Sequence, residues 1–504
     1  MLTPEELEKL SGAESLFPSP IPVQFVSSDE YMAQPQTAQQ KEFEARVKDI
    51  GARMAKKNSV SRRKFFKTAG GMAAAFVAMN EVHAKGGQPI YEVLKGEASN
   101  LDIAQARADD LKKQFVMDMH THFLREGTPI RAFVAQREAV GKAGWNPALA
   151  GKPQTIDDLM FPNYVKEIFL DSDTKVACIS GSYSEDEKFS FLTNDMKRDA
   201  REKVNKEAGT RRMYAHAIFT PGRDGWLEKV DEEMERLKPD SWKGYTIGDN
   251  TNKHLAKRPF RLDDEKLMYP FYERLVKWSR DKPGLANVCV HKGLFPPSVE
   301  KQFPHLLGYC HVGDVGKAAK DWPQLNFIIY HSAYRFGGAP VADAWTQFEQ
   351  TGRIEWVTDL SEIPSKYGVT NVYGDLGQIF AQSTVADPRV CAAMLGQLIR
   401  GLGADHVVWG TDAIWTGSPQ WQIEALRRLE IPEEMQKAYG WKPLGAADGP
   451  VKSAILGENN ARLYKYDKRA ALLTDRIAAA KASYEEAGPA RSNLRYGYVI
   501  RSRG

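Results

Sequence analysis

From Gln114 to about Tyr466 the sequence predicts an α/β fold of the (β/α)8 TIM-barrel class with insertions, framed by a flexible N-terminal leader and a C-terminal helix. Three observations carry that expectation. Short β-branched or aromatic runs alternate with longer amphipathic segments, which is the rhythm of β/α units on a parallel sheet. Eight such runs occur, and eight units over roughly 350 residues suit a barrel whose core needs about 250. No G-x-G-x-x-G follows the first run, so the main sign of a doubly wound open sheet is missing.

In chain order, residues 1–60 are rich in Pro, Gln, Glu and Lys and read as a flexible leader, with one helical run from Thr37 to Lys57. Residues 61–84 contain Ser61-Arg-Arg-Lys-Phe-Phe-Lys67 and then the Gly/Ala-rich run Thr68–Met79. Twin arginines before a short, weakly apolar stretch resemble a Tat export signal, with Val82-His83-Ala84 as the small-residue cleavage site. That resemblance implies the Tat machinery as a partner and a periplasmic or otherwise exported protein. The apolar run is shorter than the ~20 residues a membrane-spanning helix needs. A polar linker covers 85–113. The eight expected strands are Phe115–His120, Val176–Ser180, Met213–Phe219, Trp242–Ile247, Asn287–His291, Asn326–His331, Asn371–Asp375 and His406–Thr411. Stretches 124–170 and 292–316 read as long loops over the pocket. Residues 467–504 form a charged helix to about Ala487 and an Arg- and Tyr-containing tail, packing on the barrel or on a second copy, so that a homo-oligomer stays open.

Composition narrows the function classes. A net charge of +4 over 504 residues gives no footprint for nucleic acid. Four scattered cysteines without a C-x-x-C supply no disulfide framework and neither demand nor exclude an oxidising compartment.

Chemistry concentrates at the strand ends, where a TIM barrel carries its active site. His120 and His122 end the first strand. Side chains at i and i+2 of a strand share a face, so two imidazoles aim into one space, as a divalent metal requires. Lys243 lies on the fourth strand, His291 ends the fifth, His331 the sixth, and Asp412 the eighth.

The pieces Asp118-Met-His-Thr-His122, Trp242-Lys-Gly-Tyr245, Val290-His-Lys-Gly293, Ile329-Tyr-His-Ser332, Asn371-Val-Tyr-Gly-Asp375 and Trp409-Gly-Thr-Asp412 occur in that order, and Ile455–Leu463 closes the series. Together they resemble the metal-dependent amidohydrolase superfamily, and within it the amidohydrolase-related group of aminocarboxymuconate semialdehyde and γ-resorcylate decarboxylases. The resemblance spans about 114–466. It implies that His120, His122, His291 and Asp412 ligate one divalent metal, most often zinc, with manganese as the alternative. It implies His331 as a non-ligand acid/base, and Asp412 as a second proton acceptor. Asp118 becomes a support. Lys243 is a structural or substrate-facing charge. Arg335 either clamps a substrate carboxylate or forms a surface ion pair, and Trp415 either lines the pocket or packs within its loop. His216 fills the barrel.

This machinery serves two reactions on a small molecule. In one, metal-activated water attacks an amide, ester or lactone, which makes the chain a hydrolase. In the other, a small aromatic or muconate-type acid loses CO2 without redox chemistry. A third reading, from a different class, is an exported binding protein without turnover.

Overall fold

The computed structural model describes residues 35–84, 88–128, 159–249, 257–337, 340–468 and 475–487, with isolated positions between 19 and 28 and between 134 and 156. Eight parallel strands follow one another around a single sheet in sequence order. They are β1 Met117–Thr121, β2 Val176–Ile179, β3 Met213–Ile218, β4 Ser241–Tyr245, β5 Asn287–His291, β6 Asn326–Tyr330, β7 Val372–Asp375 and β8 Val407–Val408. Past the short β8 the sheet returns to β1: Met119 N–H donates to Trp409 O (3.0 Å) and Asp412 N–H to His120 O (2.7 Å). The fold is the expected (β/α)8 barrel.

The period-2 pattern of each strand explains its position. On β4, Trp242 faces the helical layer and packs against Phe271 and Trp278, whereas Ser241, Lys243 and Tyr245 alternate to the other face. Inside the barrel His216 meets Ser241 Oγ at 2.6 Å and Tyr330 Oη at 2.7 Å, the barrel-filling role expected for it. The β1–β2 register shifts between Asp118 and Thr121. This irregularity turns the Met119 carbonyl inward, where it accepts from Tyr330 O–H at 3.0 Å; such bulges also re-aim neighbouring side chains.

The leader departs from expectation over its described part. The run expected to be helical is helix α1, Ala38–Lys57, whose Thr37 cap and Gln40 close a reciprocal capping box. It is not a free-standing segment, because Phe43, Val47 and Ile50 form one apolar stripe and are buried. Short α2, Arg62–Phe65, and α3, Ala69–His83, follow, and α4, Leu101–Leu111, lies in the stretch expected to be a linker. That stretch is pinned by a buried ion pair between Glu97 and Arg428 (2.5 Å). Polar composition hid these faces: a few apolar residues at helical spacing suffice to dock a segment that is charged elsewhere.

Of the loop expected at 124–170, most of 129–158 lies outside the described residues, as does the tail 491–504, while Phe161–Val165 and Lys166–Leu170 are helical instead of loop. Within 292–316, expected to be loop, short helices form at Pro297–Gln302 and Leu307–Cys310. At the C-terminus a helix spans Arg476–Ala487 and docks through polar contacts, with Tyr484 O–H donating to Asp171 at 2.8 Å. Among the described residues no helix is long and apolar enough to cross a membrane.

Candidate metal centre

At the C-terminal mouth of the barrel, β1 and the segment after β8 bring three donor atoms to one point. His120 Nε2 and His122 Nε2 lie 3.1 Å apart. Asp412 Oδ1 is 3.3 Å from the first and 3.2 Å from the second. All three residues are buried. Asp412 reaches this point from a left-handed backbone, φ +58°, a conformation that non-glycine residues adopt rarely and often at functional sites. Two imidazoles and a carboxylate within 4.8 Å of one another fit a divalent cation of the zinc or manganese kind.

The surroundings suit that role. Burial, reinforced by the charges of Lys243 and His331, drives the His120 pKa well below its ordinary value, so the imidazole stays neutral, as a ligand must. Asp118 supports the site as expected. Its Oδ1 accepts from His120 N–H (3.0 Å) and Thr411 N–H (3.1 Å), and its Oδ2 accepts from Thr411 O–H (2.5 Å). Asp118 thereby ties β1 to the chain that delivers Asp412. Burial pushes its carboxyl up to about 7, against those hydrogen bonds.

Of the other expected residues, some join the centre and some do not. The His331 ring lies 5.1 Å from the His120 ring, on a backbone whose residues 331–333 all have positive φ. Lys243 is fully buried, with Nζ 3.3 Å from the centroid of the Tyr330 ring, which itself packs on His120 at 3.9 Å. Trp415 lies beside His122, ring centroids 6.0 Å apart. His291, expected as a fourth ligand, is not in the three-residue cluster. Its ring sits 4.8 Å from that of His331 and stacks on Tyr245 at 5.3 Å. Of the two readings open for Arg335, the structure shows the ion pair: Glu300 and Glu355 both pair with its guanidinium, which also lies over Trp356. A cation with two carboxylate partners is not free to clamp a substrate.

Sequence reasoning passed over Asp375, although it ends the seventh strand in the segment that carries the resemblance. Its Oδ2 lies 3.0 Å from His120 Nδ1 and accepts the His331 N–H at 3.4 Å. The carboxylate is packed so closely that a Cβ on Gly410 would stand 2.0 Å from its Oδ1 and 2.6 Å from His120 Cβ. The available signal was its position, an acidic residue at a strand end.

Comparison with known proteins bears on the same residues. The family described as Amidohydrolase matches residues 117–466. The chain belongs to the amidohydrolase family. It is accordingly a metal-dependent enzyme of the amidohydrolase type, a group that includes hydrolases and carboxy-lyases. No curated protein matches the chain. Among solved structures it is similar to an uncharacterised TIM-barrel protein from Bordetella bronchiseptica, at 13% identity and TM-score 0.42, covering 69% of this chain and 97% of that one. It is similar to 5-carboxyvanillate decarboxylase from Sphingomonas paucimobilis, at 13% identity and TM-score 0.40, covering 70% and 99%. A third is a 2-pyrone-4,6-dicarboxylic acid hydrolase, so named as putative, from Pseudomonas putida, at 14% identity and TM-score 0.36, covering 70% and 98%.

Proposed function

We propose that this amidohydrolase is a hydrolase that adds water to an amide, ester or lactone of a small molecule, with zinc as its cation and manganese as the alternative. The supporting observation is the convergence of His120, His122 and Asp412 beside an imidazole, His331, that is not one of the three. A cation held by those three residues supplies a Lewis acid that polarises the scissile carbonyl and acidifies water. The remaining work belongs to side chains. Asp412 accepts the proton of the attacking water, and His331 delivers a proton to the leaving oxygen or nitrogen, a task suited to an imidazole. Lys243, buried against Tyr330, contributes positive charge where negative charge develops on the substrate.

Arg335, paired with Glu300 and Glu355, serves neither reaction in particular, so the carboxy-lyase stands as the alternative that the following assay separates.

A panel assay of the full chain, loaded in turn with zinc and manganese, tests the proposal. The expected result is cleavage of a lactone, ester or amide, lost in His331→Ala. Release of CO2 from a hydroxybenzoate or muconate-type acid, without cleavage of any panel ester, lactone or amide, overturns it in favour of the carboxy-lyase. Tight metal binding without turnover of any class overturns it in favour of a binding protein.

A further inference from the structure

The metal centre makes no use of the twin-arginine stretch. Arg62 is exposed at the start of α2, but the apolar part of the motif lies inside the protein. Phe65 and Phe66 are buried, and Phe66 nests so closely on α1 that a Cβ at Gly51 would stand 2.0 Å from its ring. In α3, Ala73, Ala74, Ala75, Phe76, Ala78 and Met79 have no exposed surface.

Three parts of the chain cover that helix. On one side lies the stripe of α1. On another, the Asn80 side chain accepts from the N–H groups of Ile90 (3.0 Å) and Tyr91 (2.9 Å) and donates to Tyr91 O (2.7 Å). The third is the barrel itself. Tyr91 packs on Phe76 at 4.8 Å and donates its O–H to Thr384 O at 3.0 Å. The Arg428 guanidinium lies 5.4 Å over the Phe76 ring. Next to it, Glu92 N–H donates to Arg428 O (2.7 Å) and Glu430 N–H to Ile90 O (2.8 Å), so 90–92 runs antiparallel along 428–430.

An apolar helix hydrophobic on every side belongs in a membrane or in a core, and here the core holds it. An export signal on a folded protein must be offered at the surface, whereas the apolar part of this one is sealed between α1 and the barrel. Cutting after Ala84 would remove α1, α2 and α3 together and leave the apolar surface around Tyr91 open to water. We infer that residues 61–84 are a permanent structural element of the working enzyme, retained rather than cut off, so that any export carries the chain whole.

Two measurements test this. In the first, protein is isolated from the cytoplasmic and periplasmic fractions of a Tat-competent bacterium and weighed intact. The expected mass includes residues 61–84; a folded, metal-binding species beginning near residue 85 overturns the inference. In the second, a specific protease site is inserted between Ala84 and Gln88, cleaved to completion, and the product is run on gel filtration without denaturant. Fragment 1–84 is expected to coelute with the remainder, and the remainder stripped of it to aggregate or to melt at least about 10 °C lower. A fragment that separates freely, leaving a remainder with the parent melting temperature, overturns the inference.

Discussion

Burial raises the Asp375 carboxyl well above its ordinary value, and replacing it by Asn keeps the shape of the side chain and removes the acid, which isolates what that carboxyl does for the metal centre. In the parent its Oδ2 stands 3.0 Å from His120 Nδ1 and 3.4 Å from the His331 N–H. The first contact fixes which nitrogen of His120 carries the proton, leaving Nε2 bare towards His122 and Asp412. An Asn can still present its carbonyl oxygen to Nδ1–H, so the ring keeps its orientation and loses only the added basicity. Partners of ligand histidines are generally worth about 10–100-fold in metal affinity. The Asn variant therefore belongs near about tenfold, and Asp375→Ala, which removes orientation as well, near about 100-fold. These correspond to about 1.4 and about 2.7 kcal/mol. Competition with a chromophoric chelator measures the zinc dissociation constant directly, and melting of the metal-free proteins reports any separate structural loss. An Asp375→Ala protein that binds zinc as tightly as the parent would refute the assignment, whatever its activity.

Three further outcomes are expected. Zinc at about 100 times its dissociation constant should stabilise the parent by about 2.7 kcal/mol, and in His120→Ala both the bound metal and the zinc-induced rise in melting temperature should vanish. Gly410→Ala places a methyl 2.0 Å from Asp375 Oδ1 and 2.6 Å from His120 Cβ, so metal content by elemental analysis should fall sharply while the chain retains its far-UV helical signal. The third concerns pH. Burial alone would raise the Asp173 carboxyl, but Arg427, 2.7 Å away, and Lys481 outweigh it and hold it down at about 2, below the ordinary 3.8. With the folded value below the unfolded one, this stabilisation is complete above about pH 4 and is lost as pH falls through about 2. Asp173→Asn should then cost about 2–3 kcal/mol at pH 7 in urea unfolding, with the gap to the parent closing at pH 3 and below.

The barrel was legible because parallel strands buried on both faces leave continuous β-branched runs, and all eight came out within a few residues of their expected bounds. The ends were harder. β8 is only Val407–Val408, since beyond it the backbone bends to a positive φ at Asp412 that no residue pattern announces. His120 and His122 were readable from strand period alone, and Asp412 from the resemblance. Arg335 stayed open between a clamp and an ion pair because Glu300 and Glu355, 35 and 20 positions away in sequence, become its partners only once the chain folds. Asp375 was missed because a lone acid at a strand end has no meaning until His120 is seen to face it.

The sequence alone therefore determined the class of fold, the mouth at which chemistry gathers, and the two histidines of the three-residue metal centre, all of which follow from local periodicity and short spacing. Only the tertiary structure decided which groups converge, that His291 packs against His331, that Asp375 at the end of β7 holds His120 on β1, and that the apolar helix of the twin-arginine motif lies in the core. Each of those depends on contacts between residues far apart in the chain, where burial and mutual distance, not local pattern, set the chemistry.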